Sequence, residues 1–299
     1  MVALDQVVRD NLVRSEAGAA WIADLESVVA RVREEWKLDR LGPPYPGGSH
    51  ALAAPVRLPD RSAAVLKVPF LDEENRHEAE ALRRYDGDGA VRLLAFDDRS
   101  GAMLLEQAQA GTPLEDHPDR RDAIAIGCAV LRRLRRPVPA PHPFTLVTDK
   151  ARAWAREFDA QLEQTTDPAT RALLTNAAAA ARELSSDSGP AYLVNSDAHL
   201  GNVLASQREP WLLIDPKPLV GDPAFDAGYL VDWLIGDDPS ARNAERMVTA
   251  VASELDVPQD RVRSWAIVRA IDNYLWSLRE HDEDPTPYLA EATALTTSG

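Results

Sequence analysis

A single cysteine, Cys128, stands in 299 residues, so no disulfide can form within the chain and no cysteine-rich zinc site exists. Its neighbours from Ile124 to Leu134 read as a buried helix, which predicts a packed thiol rather than a reactive one. No apolar run approaches the roughly 18 residues of a membrane span. The first ten residues carry acids and no basic stretch ahead of an apolar one, so neither a span nor a signal peptide is expected, and the expected location is cytoplasmic. Basic residues are in deficit: 33 against 48 acidic ones, a net charge of −15. That argues against a nucleic-acid binder, whose affinity comes from basic patches that neutralise phosphates. It is compatible with a cationic small substrate, because acidic clefts concentrate cations, although acids that simply keep the protein soluble account for the balance as well.

Other absences narrow the chemistry. There is no Gly-x-x-x-x-Gly-Lys-Ser/Thr, so a Walker-type phosphate loop is missing. His77-Glu78 lacks the second histidine of a zincin, and His117, His142 and His281 are too scattered to suggest a metal cluster. There is no Asp-Phe-Gly and no Ala-Pro-Glu, and only eight residues separate Lys217 from Asp226. That leaves no room for the activation loop of a protein kinase.

With 45% hydrophobic and 27% charged residues, the chain can form two lobes, each with its own core. Residues 17–37 predict an amphipathic helix with Trp21, Leu25, Val28, Val29, Val32 and Trp36 on one face. A hairpin is expected over 49–70, a helix over Glu73 to Tyr85, and strands at 90–96 and 102–106. Beyond residue 111 the pattern is mainly helical, near 119–136, 147–163, 168–185, 224–235, 241–255, 259–280 and 285–296. Short strands near 191–194 and 211–214 interrupt it. The expected class is α+β, with an N-terminal lobe over 1–106, built on a small antiparallel sheet and leading helices, and a larger helical lobe over 107–299. Ligand sites favour clefts between lobes.

The chemistry concentrates in two apolar runs that each end in polar residues: Leu193-Val194-Asn195-Ser196-Asp197-Ala198-His199-Leu200-Gly201-Asn202 and Trp211-Leu212-Leu213-Ile214-Asp215-Pro216-Lys217. An Asp that accepts a hydroxyl proton, an Asn five residues later and a second Asp after the next strand are the parts of a phosphoryl-transfer site. Asp197 is the candidate base, with Asn202 and Asp215 as hard oxygen ligands for magnesium (Mg2+). Lys67 ends an apolar strand run, and Glu78 follows it by eleven residues on a helix, where an ion pair would hold the lysine over phosphates. Glu80 competes for that role, and spacing does not separate the two. Gly47-Gly48-Ser49 either brings backbone amides to phosphates or makes a tight turn. His199 is expected to order the loop, Asp222 to cap the helix that follows, and Asp226 to anchor the catalytic loop from within.

Taken in order, these segments resemble the aminoglycoside phosphotransferase superfamily of the protein-kinase-like fold, and in particular its streptomycin 6-kinase and hydroxyurea phosphotransferase branch. The resemblance runs from Gly47-Gly48-Ser49 and Val65-Leu66-Lys67-Val68 through His77–Arg83 and Gly87–Leu94 to Asp215-Pro216-Lys217 and Gly221-Asp222-Pro223. It implies a bilobal enzyme using ATP and magnesium, with Asp197 as base, Asn202 and Asp215 on the metal, and Lys67 on the phosphates with Glu78 as partner. It also implies that Glu106-Gln107-Ala108 form the hinge whose backbone reads adenine. Lys217 belongs to the pattern without an assigned role. The family loop commonly reads His-Gly-Asp-Leu-His-Pro-Gly-Asn, and Asn195, Ser196, Ala198 and Leu200 depart from it. The acceptor implied is a small hydroxylated molecule, a streptomycin-type cation or hydroxyurea, with an endogenous metabolite such as an amino sugar as the alternative. Among the acids of the helical half, Asp232 and Asp272 interrupt apolar helix faces and are the candidate acceptor contacts. A non-catalytic binding module is the reading from another class, and it predicts loss of Asp197 or Asp215. Both are present.

Overall fold

The computed structural model describes residues 2–187, 189–280 and 284–297. Of the residues named above, His281 lies outside them. The elements run α1 (Gln6–Leu12), α2 (Glu16–Glu35), β1 (Ala51–Arg57), β2 (Ala63–Pro69), α3 (Glu78–Tyr85), β3 (Leu93–Phe96), β4 (Met103–Glu106) and β5 (Ala110–Pro113). There follow α4 (Arg120–Leu134), α5 (Val147–Gln164), α6 (Pro168–Ser186), β6 (Tyr192–Asn195), β7 (Val203–Ser206), β8 (Trp211–Leu213) and β9 (Pro218–Gly221). The chain ends in α7 (Ala224–Ile235), α8 (Ala241–Leu255), α9 (Gln259–Glu280) and α10 (Thr286–Thr297). They fall into two compact units, Met1–Thr112 with Ala205–Ile214, and Pro113–Leu204 with Asp215–Gly299.

The first unit is organised by a four-stranded antiparallel sheet in the order β1-β2-β4-β3. Period-two alternation turns Ala64, Leu66 and Val68 of β2 into the core beside Leu52, Ala54 and Val56 of β1. α2 covers that face with Leu25, Val29 and Val32, and Trp21, Val28 and Trp36 pack at its margin, as the helical periodicity predicts. Ser15 starts α2 by accepting the Gly18 N–H at 3.0 Å. Lys67 lies on the other face of β2, in register with Ala53 on one side and Met103 on the other.

α3 begins at Glu78 and not at Glu73. The reason is local: the Asp72 carboxylate accepts the N–H groups of Glu74 and Asn75, at 2.8 and 3.0 Å, and Asn75 bonds back to Phe70 O at 2.8 Å. Such side-chain turns compete with helix formation. The segment 205–214 belongs to this unit rather than to the helical half where the sequence pattern had put it. Arg208 explains the attachment, donating to Gly87 O, Ala90 O and both Glu106 carboxylate oxygens at 2.7–2.9 Å, while Val91 and Leu213 share a 3.0 Å backbone bond.

The second unit is mainly helical. Its centre is the α7–α9 contact, where Phe225 meets Trp265 edge-on at 5.1 Å, and a Cβ on Gly228 would stand 2.3 Å from Trp265 Cβ. Only glycine permits that approach. Cys128 is buried in α4, and burial pushes its thiol up to about 12, so it is an inert packed group. No described helix is long and apolar enough to cross a membrane. Three strands went unpredicted: β5, β7 and β9. β5 (Ala-Gly-Thr-Pro) and β9 (Pro-Leu-Val-Gly) each carry a proline and a glycine, which read as turn rather than strand.

Candidate active site

In the first unit, both Glu78 carboxylate oxygens accept from Lys67 Nζ, at 2.8 and 2.7 Å, and both side chains are buried. Glu80 instead pairs with Arg84 at 3.1 Å and Arg83 at 3.7 Å, so geometry separates the two acids that spacing left equal. A buried pair is a poor source of stability, yet removing one partner strands a charge in the core at a cost of about 3–5 kcal/mol. Gly47 adopts φ +87, a left-handed conformation that glycine takes without strain, with nothing within 4 Å of the place a Cβ would occupy. Gly48 and Ser49 are exposed beside it, and Ser49 Oγ lies 3.0 Å from His50 Nδ1.

Glu106, Gln107 and Ala108 follow the end of β4. Burial raises the Glu106 carboxyl, but hydrogen bonds from Arg208 and from the Arg92 N–H outweigh it and leave the group below its ordinary range. Gln107 Nε2 donates to Tyr45 Oη at 2.5 Å, tying this segment to the loop that precedes β1. Ala108 is half-buried.

In the second unit, β6 and β9 pair so that Asn195 opposes Pro218. This register sets the 195–202 loop against the segment that starts at Asp215. Asn195, only 2% exposed, ties them together: its Oδ1 accepts the Asp197 N–H at 3.1 Å and the Lys217 N–H at 2.8 Å. Ser196 returns its N–H to Lys217 O at 2.9 Å. Beneath the loop, Asp226 Oδ1 accepts the Asn195 N–H at 2.6 Å. Burial pushes the Asp226 carboxyl up to about 7.

The Asp197 carboxylate is half-exposed and sits among three polar side chains. Asn202 Nδ2 donates to Asp197 Oδ2 at 3.0 Å, Lys217 Nζ stands 3.5 Å from the same oxygen, and His199 Nε2 is 3.8 Å from Oδ1. His199 Nδ1 accepts the Gly201 N–H at 3.1 Å, so in the neutral ring the proton sits on Nε2, toward Asp197. The same ring stacks on Trp233 at 6.1 Å. Ala198 and Leu200, which depart from the family loop, both turn inward; a Cβ on Gly127 of α4 would lie 2.5 Å from Leu200 Cδ2.

The donor set fits a magnesium ion. The Asn202 amide nitrogen is committed to Asp197 Oδ2 and Asp197 O, which reserves the Asn202 carbonyl oxygen as a ligand atom. Asp215 adds a half-buried carboxylate, on a residue held at φ +51, a conformation that Asp tolerates better than most side chains. Hard oxygens of this kind suit magnesium.

Asp222 accepts the Ala224 N–H at 2.9 Å, at the start of α7, and its other oxygen accepts from Arg261 Nε at 2.6 Å and Trp265 Nε1 at 3.3 Å. It therefore joins α7 to α9 and takes the first N–H of α7, while the N-cap position itself is Pro223, which makes no side-chain cap bond. Asp232 and Asp272 meet at Arg269, whose guanidinium is 2.7 Å from Asp272 Oδ2 and 3.9 Å from Asp232 Oδ2 and lies over the Tyr229 ring. Asn273 donates to Asp232 at 2.8 Å. Burial raises the Asp232 carboxyl, and burial with the neighbouring Asp232 raises Glu291.

Sequence reasoning undervalued four residues here. Asn195 stood as a departure from the family loop still able to hydrogen-bond and order it, but its hold on the backbones of both Asp197 and Lys217 was not foreseen. Lys217 had a motif but no geometry, and Arg208 lay in a stretch without periodicity. Arg269 sits on a helix face where only tertiary packing shows its partners.

Residues 35–281 match the family described as aminoglycoside/hydroxyurea antibiotic resistance kinase. The chain is 35% identical over 269 residues to a streptomycin 6-kinase of Streptomyces griseus, a match covering 89% of this chain and 87% of that protein. It is 35% identical over 268 residues to a hydroxyurea phosphotransferase of Kitasatospora aureofaciens, covering 88% and 76%. Among solved structures, a thermostable mutant of aminoglycoside phosphotransferase APH(4)-Ia, in ternary complex with ADP and hygromycin B, aligns with a TM-score of 0.66 at 17% identity. That likeness of fold covers 91% of this chain and 99% of the other.

Proposed function

This chain belongs to the aminoglycoside/hydroxyurea antibiotic resistance kinase family, and from that premise we propose that it moves the γ-phosphate of ATP to a hydroxyl group of a streptomycin-type aminoglycoside or of hydroxyurea. Its fold is protein-kinase-like, with an antiparallel-sheet unit and a mainly helical one. The observation that carries the reading is the clamp of Asn195 on the backbones of both Asp197 and Lys217. It holds a base and the segment of a metal ligand in one fixed frame, and phosphoryl transfer depends chiefly on such positioning.

In this reading Asp197 accepts the proton of the attacking hydroxyl, with Asn202 and His199 orienting its carboxylate. Lys67, fixed by Glu78, grips the nucleotide phosphates. The exposed amides of Gly47-Gly48-Ser49 lie along the phosphates, and the backbone of Glu106-Gln107-Ala108 reads adenine. Asn202 and Asp215 are the residues that would hold magnesium, which when bound supplies positive charge to the polyphosphate. Asp222 and Asp226 support the loop from the helical core.

Asp232 and Asp272 shape the acceptor side through Arg269. An acceptor guanidinium placed there competes with one the protein already holds. That pairing favours a second reading, in which the acceptor is uncharged: hydroxyurea or a small hydroxylated metabolite. The test is ADP release with streptomycin, other aminoglycosides, hydroxyurea and amino sugars, using Asp197→Ala as control. Turnover of streptomycin alone supports the first acceptor, and turnover of hydroxyurea alone the second. ADP release that persists in Asp197→Ala refutes the assigned base.

A further inference from the structure

The segment Asp215-Pro216-Lys217-Pro218 places a lysine between two prolines. Pro216 has a fixed φ, and Pro218 disfavours helical backbone at Lys217, so the lysine has little conformational freedom. Three hydrogen bonds remove most of what remains. The Lys217 N–H donates to Asn195 Oδ1 at 2.8 Å, and Lys217 O accepts from Ser196 N and Ser196 Oγ at 2.9 and 3.2 Å. This rigid backbone delivers an ammonium 3.5 Å from Asp197 Oδ2. The two side chains are 28% and 25% exposed, and a pair so accessible contributes little to stability. The ammonium can therefore leave the carboxylate for a stronger anion. Lys67, the other lysine assigned to phosphates, has its ammonium on both Glu78 oxygens. A phosphoryl group in flight spreads negative charge over its equatorial oxygens and needs cations placed for that moment.

Resting on the phosphotransferase reading above, we propose that Lys217 is a catalytic residue whose ammonium binds the γ-phosphate of ATP and stays with the phosphoryl group during transfer. The acceptor oxygen bonds to phosphorus as the bond from phosphorus to the bridging oxygen of ADP breaks. The hydroxyl proton passes to Asp197, and the electron pair of the broken bond leaves with ADP. Lys217 makes and breaks no covalent bond. It donates hydrogen bonds to the phosphoryl oxygens beside the base, so the charge it neutralises is the charge that moves.

The test compares Lys217→Met, which keeps side-chain length without charge, with Lys217→Arg, which keeps the charge. Calorimetry on the full chain gives affinities for ADP and for AMP-PNP, beside kcat with ATP and the thermal midpoint. Lys217→Met is expected to bind ADP within about threefold of the parent and AMP-PNP roughly tenfold more weakly, a split that isolates the γ-phosphate. Its kcat should fall by about 10²–10³, the loss typical of one missing transition-state donor. Lys217→Arg should recover most of the AMP-PNP affinity and part of the rate. Equal weakening of ADP and AMP-PNP, or a kcat within about threefold of the parent, overturns the proposal, since a lysine that only braces the loop affects both nucleotides alike. Nucleotide binding needs no acceptor. A parent that binds AMP-PNP but phosphorylates nothing offered refutes the acceptor reading while the nucleotide split still decides Lys217; a parent that binds neither nucleotide overturns both.

Discussion

Lys67 and Lys217 are held in opposite ways, and the contrast separates the two units. In the sheet unit the cation is buried, its partner Glu78 is buried, and both carboxylate oxygens are engaged. In the helical unit the backbone is what is fixed. Asn195 clamps the amides of Asp197 and Lys217, while the charged ends of those two residues stay half-exposed and 3.5 Å apart. A group that holds one phosphate geometry throughout gains from burial. A group that must exchange protons or change partners needs a rigid base and an accessible tip. The two arrangements suit the roles proposed for them, gripping the nucleotide and reacting with it.

The largest effect is expected where burial does the holding. Lys67→Met should strand Glu78 and cost about 3–5 kcal/mol of stability, together with roughly 10²–10³ in kcat/KM. The double variant Lys67→Met/Glu78→Leu should regain most of the stability, read by denaturant unfolding, and none of the activity. Recovery of both would erase the distinction between a structural and a functional pair. Next comes the clamp. Asn195→Ala leaves two amides without their acceptor, at about 1–3 kcal/mol each if they stay dry. A loop displaced by an ångström loses about 10²-fold in rate. The loss should appear in kcat more than in the KM for ATP.

Asp226 offers a smaller test with a defined pH window. Burial pushes its carboxyl up to about 7, well above the ordinary range of about 4, so its contribution to stability is complete below about pH 4 and is lost as pH rises through 7. Asp226→Asn keeps an oxygen for the Asn195 N–H and removes the titration. The variant should be more stable than the parent above pH 7, by up to about 4 kcal/mol, with a flatter stability profile between pH 4 and 7 and turnover within several-fold. A parallel decline in both proteins would show that Asp226 ionises freely in the fold. The smallest effect belongs to Glu80→Ala. This half-exposed acid pairs with Arg84 and Arg83, so thermal unfolding should register at most about 1 kcal/mol and the KM for ATP should not move.

The helical half was legible because its helices bury long faces at 3.6-residue spacing, as along Val262, Trp265, Val268, Ile271 and Leu275. The start of α3 was not, because one carboxylate, Asp72, captures the amides a helix would have used. Among the proposed functional residues, residue types and offsets named Asp197, Asn202, Asp215 and Lys67. They could not choose Glu78 over Glu80, which lie two positions apart on one short helix and differ only in the direction they face. Nor could they reveal Arg269 between Asp232 and Asp272, since an internal cation and a substrate cation satisfy acids alike. The membership of 205–214 in the sheet unit depends on Arg208 reaching residues more than a hundred positions away, a pairing no local pattern encodes.

Asp197 is proposed to act on the acceptor and not on the nucleotide. Single-turnover transfer from ATP, measured beside AMP-PNP affinity, separates these in the Asp197→Asn variant. Affinity within about threefold of the parent with transfer slowed by about 10²–10⁴ is the predicted result. Transfer at the parental rate, or nucleotide affinity lost in step with it, would contradict the account.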